Sequence, residues 1–162
     1  MFEKEAVASI GAVALWQKNS QVVWVGTGEA NSRNSSSWGN GVYRSTDGAA
    51  PGPTSGSRRR APSPAWCSIP PTATSRTSPH SESCGENPER GVYKTRDGGK
   101  TWQHSLKVDA RTGAVDLVMD PSNSRVLYAA MYSRRRTPWS FSSGSTTGGI
   151  FKTTDGARPG RS

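Results

Sequence analysis

Three aspartates, Asp47, Asp97 and Asp155, stand in nearly identical contexts and are the first residues to consider for chemistry. Each lies directly before a glycine, and carboxylates can hold a metal ion or act as acid and base. The three occur 50 and 58 residues apart, so each belongs to a different structural unit. We therefore interpret all three as structural and predict no catalytic residue among them.

The other groups that could support catalysis or bind a metal are few. His80 and His104 have no serine, cysteine or carboxylate partner at a matching spacing, so neither supports a catalytic triad. Cys67 and Cys84 form no CxxC pair and give no support for a metal or redox site. The sequence predicts no metal site and no cofactor.

The formal net charge of +9 would suit a nucleic-acid partner, because clustered Lys and Arg bind phosphates. Much of the excess comes from arginines in two segments, 49–84 and 157–162, that lack the pattern of the rest of the chain. We therefore predict no nucleic-acid binding.

The beginning of the chain contains an apolar run, residues 6–15. Glu3 and Glu5 precede it, whereas a signal peptide has a basic flank, and no stretch approaches the roughly 20 apolar residues of a membrane span. We expect no signal peptide and no membrane span, and we interpret the run as a buried strand.

One eight-residue pattern occurs three times: GVYRSTDG at 41–48, GVYKTRDG at 91–98 and GIFKTTDG at 149–156. The alternation predicts a strand packed on both faces, with Tyr43 and Tyr93 opposite their neighbours. In the turn that follows, the aspartate can accept hydrogen bonds from backbone NH groups, and the glycines can adopt positive φ. We refer to these as the first, second and third repeat segments.

A second unit recurs between the repeat segments. Residues 114–121 and 126–130 flank a polar turn at 122–124, and the earlier counterpart has strands at 8–15 and 22–25. Both predict β-hairpins. Each unit would then contain an inner strand, a second strand, the repeat strand and an outer strand, with residues 101–106 as the one intact outer strand.

The second repeat segment continues as Thr95-x-Asp97-x-Gly99-x-Thr101-Trp102, which resembles the Asp box, also called the BNR repeat. Stretches 24–31, 87–91 and 134–139 are similar to bacterial propellers related to sortilin, a group often described as glycosyl hydrolases. The resemblance implies an all-β fold: a partial propeller of about three incomplete blades, each a four-stranded antiparallel sheet. The matching Asp-box residues are Ser45, Asp47, Gly48, Thr95, Asp97, Gly99, Thr101, Trp102, Thr153, Asp155 and Gly156.

The predicted organisation has four parts. Residues 1–48 form a first partial blade, 49–84 an irregular or disordered insert, 85–156 an Asp-box blade with the start of the next, and 157–162 a tail. We expect the chain to be a fragment of a longer propeller.

The insert has two interpretations. The insert contains seven of the eleven prolines of the chain and many serines, a composition that suits a Pro/Ser linker. Alternatively, 49–84 and the tail are translated in a shifted frame, because permitted codons read in another frame restore a hairpin like 115–131 and the missing end of a turn. In that case Cys67, Cys84 and the Arg58–Arg60 run have no evolved function.

Two polar segments are candidate ligand-facing loops. The first is a polar loop of about a dozen residues between two predicted strands, which is long enough to be functional. In the second, arginines could bind a carboxylate or phosphate by forked hydrogen bonds, although adjacent residues of an extended chain alternate sides. The candidate residues are Glu29, Asn31, Arg33 and Trp38 in the first loop, and Arg134, Arg136 and Trp139 in the second.

Two functions remain open. The resemblance implies a binding or scaffold module for a peptide, protein or glycan, which acts through blade-end loops and is not catalytically competent alone. The alternative is a scaffold part of a sialidase-like glycoside hydrolase, whose catalytic groups would come from other blades, since no residue here matches them. The intact parent is expected to be exported or periplasmic, while the sequence itself indicates no compartment.

Overall fold

The computed structural model describes residues 9–16, 18–28, 41–48, 74–76, 88, 90–137 and 139–157. This part of the chain contains ten strands. Within it, no helix is long and apolar enough to cross a bilayer. The strands are β1 Ile10–Trp16, β2 Asn19–Thr27, β3 Val42–Ser45, β4 Thr74–Arg76, β5 Gly91–Lys94, β6 Gln103–Leu106, β7 Thr112–Met119, β8 Leu127–Thr137, β9 Ser140–Ser143 and β10 Gly149–Thr153.

The strands form three antiparallel sheets, which confirms the all-β prediction. Sheet I has the order β1-β2-β3, sheet II the order β4-β5-β6, and sheet III the order β10-β8-β7, with β9 paired to β8. The predicted hairpins are confirmed as β1–β2 and β7–β8. In sheets I and III the hairpin precedes the repeat strand, which pairs with the second strand of the hairpin.

Sheet II departs from the sequence prediction in two places. Residues 74–76, within the segment predicted to be irregular, form β4 and pair with β5. They occupy the position beside the repeat strand that β2 and β8 occupy in the other sheets. The outer strand begins at Gln103 rather than Thr101, because Thr101 bonds to the side chain of Asp97 in the turn.

Two apolar clusters lie between the sheets. Trp102, at the entrance to β6, packs against the cluster of sheet I, while Val92 of β5 belongs to the cluster of sheet III. The buried members are Ala14, Val22, Trp24 and Val42 in the first cluster, and Val92, Ala114, Leu117, Leu127, Ala129 and Met131 in the second. Sheet II therefore contacts a different sheet on each face.

The predicted burial of the repeat strand on both faces holds for the first two copies only. Tyr43 and Tyr93 are buried, as are the preceding valines. In the third copy, Ile150 is 80% exposed and Phe151 is 36% exposed. The described part of the chain has no sheet beyond sheet III, so nothing covers β10 on that side.

The prediction that the first apolar run is a buried strand was wrong for one of its faces. Residues 6–8 lie outside the described residues. Within β1, Ala14 is buried, whereas Val13 is 60% and Leu15 54% exposed. Alternate residues of a strand point to opposite faces, and Ala14 lies on the face whose apolar cluster packs against Trp102.

Candidate functional site

The turn of the second repeat segment is closed by the Asp97 carboxylate. Its Oδ1 accepts the Thr95 hydroxyl at 2.9 Å and the Thr101 NH at 2.8 Å, and its Oδ2 accepts the Thr101 hydroxyl at 2.5 Å. The Thr95 hydroxyl in turn accepts the Gly99 NH at 2.8 Å. All these partners belong to the same turn, so the carboxylate stabilises its own loop.

The same closure recurs in the other two turns. The Ser45 hydroxyl donates to Asp47, and the Thr153 hydroxyl donates to Asp155 at 2.6 Å. The glycine that follows each aspartate has positive φ, 69° at Gly48 and 73° at Gly156. The three aspartates thus occupy equivalent turns of three different sheets.

Ala157 occupies the position that Gly99 has in the second turn. It has a φ of 54°, and no other non-glycine among the described residues has a positive φ. Gly99 itself has a φ of 92°. An alanine in this left-handed region costs about 1–2 kcal/mol, so the third turn keeps a glycine conformation without its glycine.

Hydrogen bonds from Thr101 hold the pKa of Asp97 well below its ordinary value, from 3.8 to about 2. Asp109, which precedes β7, also has a pKa of about 2: burial opposes its ionisation, but hydrogen bonds from Thr147, Arg111 and Thr112 outweigh that effect. Neither carboxylate holds a proton near pH 7, so neither is suited to be a general acid.

These lowered pKa values predict a loss of stability in acid. A carboxylate with a lower pKa in the folded state stabilises the fold above its unfolded pKa, and the effect disappears as the pH falls through the folded pKa. For Asp97 and Asp109 the pH window runs from about 4 down to about 2. We expect the urea midpoint of unfolding to fall across this window.

The matched control is Asp97→Asn, which removes one of the carboxyl groups whose pKa is lowered, while Asp109 and Asp120 remain. Its midpoint should be lower than that of the parent at pH 7 and should change less between pH 5 and pH 2. A variant that titrates as steeply as the parent would show that Asp97 is not responsible.

The fourth residue of the repeat segment is basic in every copy and connects neighbouring sheets. Arg44 of sheet I donates through Nη1 to the Gly98 carbonyl of sheet II at 3.5 Å. Lys94 of sheet II donates through Nζ to the Gly156 carbonyl of sheet III. The basic residue of one repeat therefore binds the turn glycine of the next.

An aromatic ring lies beneath the basic residue in sheets I and III. The Arg44 guanidinium lies 5.4 Å from the Trp24 ring centroid, and the Lys152 ammonium lies 5.4 Å from that of Tyr128. Each basic residue is the cross-strand register partner of its aromatic residue. In sheet I the Trp24 ring also meets the Trp102 ring edge to face, with centroids 6.2 Å apart.

The second candidate loop is a strand-turn-strand structure rather than a loop. Strand β8 continues through all three arginines to Thr137, and β9 pairs with it. Cα register pairs Arg134 with Ser143, Arg135 with Ser142 and Arg136 with Phe141. Trp139 in the turn is 85% exposed and Phe141 is 55% exposed. We call residues 134–143 the aromatic hairpin.

The first candidate loop, with Glu29, Asn31, Arg33 and Trp38, lies outside the described residues. His104, for which we predicted no catalytic partner, packs against Tyr93 with ring centroids 4.2 Å apart. Its Nε2 lies 3.0 Å from the Arg90 carbonyl. No group of three His, Cys, Asp or Glu side chains within the described ranges could hold a metal ion.

Sequence reasoning did not identify the contacts between sheets. A basic residue at the fourth position of all three repeat segments was the available signal, together with Trp24 and Tyr128 at matching positions of the preceding hairpins. Neither shows by itself that the partner is a backbone carbonyl of the following repeat.

The chain matches no family model and no curated protein sequence. Its function is therefore inferred from the geometry of the turns and the aromatic hairpin.

Proposed function

We propose that the chain is a non-catalytic binding or scaffold module of the Asp-box propeller type, with a peptide, protein or glycan as its ligand. The observation that carries this proposal is the aromatic hairpin, where Trp139 in the turn is 85% exposed, Phe141 of β9 is 55% exposed and Arg135 of β8 is exposed.

The aromatic hairpin has the composition of a ligand contact. A tryptophan ring offers a large rigid apolar surface at low entropic cost, and Trp and Arg are enriched among residues that dominate binding energy. Arg135 is exposed and pairs by register with Ser142. An indole suits the apolar face of a sugar ring or an apolar peptide side chain, while a guanidinium suits a carboxylate.

The turns support the non-catalytic part of the proposal. Glycoside hydrolysis ordinarily needs two carboxyl groups that face one substrate. Here Asp47, Asp97 and Asp155 each accept a hydroxyl within their own turn, on three different sheets. Such carboxylates fit a scaffold role.

The arrangement of the sheets supports the propeller type. Each repeat strand lies beside a second strand, and consecutive sheets contact one another through equivalent residues. Propellers repeat four-stranded sheets, whereas sheets I and II have three described strands each, so the support lies in the repetition and not in the strand number.

The test is a binding screen of the purified chain against immobilised glycans and an unbiased peptide array. We expect at least one ligand class to bind, and Trp139→Ala to weaken that binding by more than about tenfold, because it removes the most exposed ring of the hairpin. The matched control is Val115→Ala, which truncates an exposed apolar side chain of β7 and should bind as the parent does.

Two results would overturn the proposal. Ligand binding that is unchanged in Trp139→Ala, or absent from both screens, would remove the hairpin as a binding surface. Turnover of a fluorogenic glycoside by the purified chain would contradict a non-catalytic role.

A further inference from the structure

Contacts between neighbouring sheets follow one rule. The basic residue of a repeat strand donates to the turn glycine of the following repeat, from Arg44 to Gly98 and from Lys94 to Gly156. At the first of these contacts the turn also approaches Trp24: a Cβ built on Gly99 would lie 3.0 Å from the ring. At this contact a basic residue on an aromatic ring receives the repeat turn.

Sheet III presents the same receiving surface. Lys152 lies over Tyr128 at the distance that separates Arg44 from Trp24. Lys152, Tyr128 and Val118 are register partners across β10, β8 and β7, so they lie on one face. Ile150 lies on the same face, two residues before Lys152 in β10. We call these four residues the outer face of sheet III.

The outer face of sheet III is exposed where its counterpart in sheet I is covered. Ile150 is 80% exposed, whereas the equivalent Val42 is 7% exposed. Tyr128 is 38% exposed, whereas the equivalent Trp24 is 8% exposed. Among the described residues no sheet follows sheet III, and this face carries apolar surface of the kind that marks interaction sites.

The opposite end of the stack has the complementary surface. Register makes Val13 of sheet I equivalent to Leu117 of sheet III, and Leu15 equivalent to Met119. Leu117 is buried at 2% exposure, in the cluster that joins sheet III to Val92 of sheet II. Val13 and Leu15 are 60% and 54% exposed, and the described residues include no sheet before sheet I. The turn glycine of sheet I, Gly48, is also exposed.

We propose that the outer face of sheet III binds sheet I of a second copy of this chain. Lys152 donates to the Gly48 carbonyl of that copy, and its Val13 and Leu15 cover Ile150 and Val118. This contact continues the rule of the two internal contacts and covers both open ends with the same partner. It is independent of the ligand proposed for the aromatic hairpin.

Association of this kind is head to tail, because the two surfaces differ. A head-to-tail contact leaves one free surface of each kind on every dimer, so further copies can add. Sedimentation velocity of the full chain should therefore show an average mass that rises with concentration beyond that of a dimer.

The variants are Ile150→Lys and Leu15→Lys, one at each end, with Trp139→Lys as the matched control. All three add one charge at an exposed apolar side chain, so the fold should be retained. We expect each end variant to weaken self-association by more than about tenfold, since it places a charge in an apolar contact. Trp139→Lys should associate as the parent does.

A mixture of the two end variants separates this contact from other modes of association. Each variant keeps one intact end, so Ile150→Lys and Leu15→Lys together should form a one-to-one dimer that grows no further. A parent chain that stays monomeric, an end variant that associates like the parent, or a mixture that stays monomeric would overturn the proposal. A loss of association in Trp139→Lys equal to that in Ile150→Lys would do the same.

Discussion

Gly91→Ala is expected to lower the free energy of unfolding by about 2–5 kcal/mol. Gly91 begins β5 with a φ of 138°, a conformation that side chains disfavour. A Cβ there would lie 2.1 Å from the Leu106 carbonyl oxygen and 2.4 Å from His104 Nε2. Leu106 belongs to β6, so its carbonyl cannot move without separating β6 from β5. Urea denaturation followed by tryptophan fluorescence measures the loss.

Gly149→Ala is the matched control, because Gly149 begins β10 at the equivalent position. Its φ is 153°, and a Cβ there would meet no atom within 4 Å. This variant retains only the conformational cost, about 1–2 kcal/mol or less. Equal losses in the two variants would show that the contact with Leu106 is not the cause.

Trp24→Ala is expected to cost about 3–5 kcal/mol, the range for a large aromatic residue removed from a core. The ring is 8% exposed, lies under Arg44 and meets Trp102 edge to face. Its loss would remove the apolar contacts that Gly99 and Trp102 of sheet II make with this ring. Equilibrium unfolding in urea is again the measurement.

Tyr128→Ala provides the comparison for Trp24→Ala. Tyr128 has the equivalent position in sheet III but is 38% exposed. At concentrations where the chain is monomeric, we expect this variant to cost about 1 kcal/mol or less, as for other partly exposed positions. If Trp24→Ala proved as mild as Tyr128→Ala, the ring of Trp24 would not hold sheets I and II together.

Local sequence signals predicted the elements that depend on near neighbours. Alternation and turn residues located the hairpin of β7 and β8, and the Asp-Gly pairs located the turns at Asp47, Asp97 and Asp155. These features depend on residues within a few positions of one another. A single repeat segment therefore contains most of the information needed to form its turn.

Features that depend on distant partners were not predictable in this way. The exposure of Val13 and Leu15 depends on whether another sheet covers β1, which no periodicity reveals. Strand β4 consists of Thr, Ser and Arg, without apolar alternation, and pairs with β5 in antiparallel register. The pairing of β9 with β8 was missed because the arginines obscured the continuation of the strand.

The contacts between sheets also bear on the candidate site. In each of them a charged side chain meets a neutral carbonyl, so the sequence offered no opposite charge as a signal. For the same reason a search for ion pairs would not have located Lys152 as a binding group. The repeated basic residue indicates a contact between sheets only because Arg44 and Lys94 are observed to bind the following turn.

Each of these contacts joins one repeat only to the next, so the chain has the energetics of a one-dimensional array. In such arrays stability is approximately a sum of terms for each unit and for each pair of adjacent units. An insertion or a damaged segment in one unit then weakens its two neighbouring terms and leaves the remaining units intact. A change in the number of repeats alters total stability in steps, while the geometry of each junction is inherited unchanged.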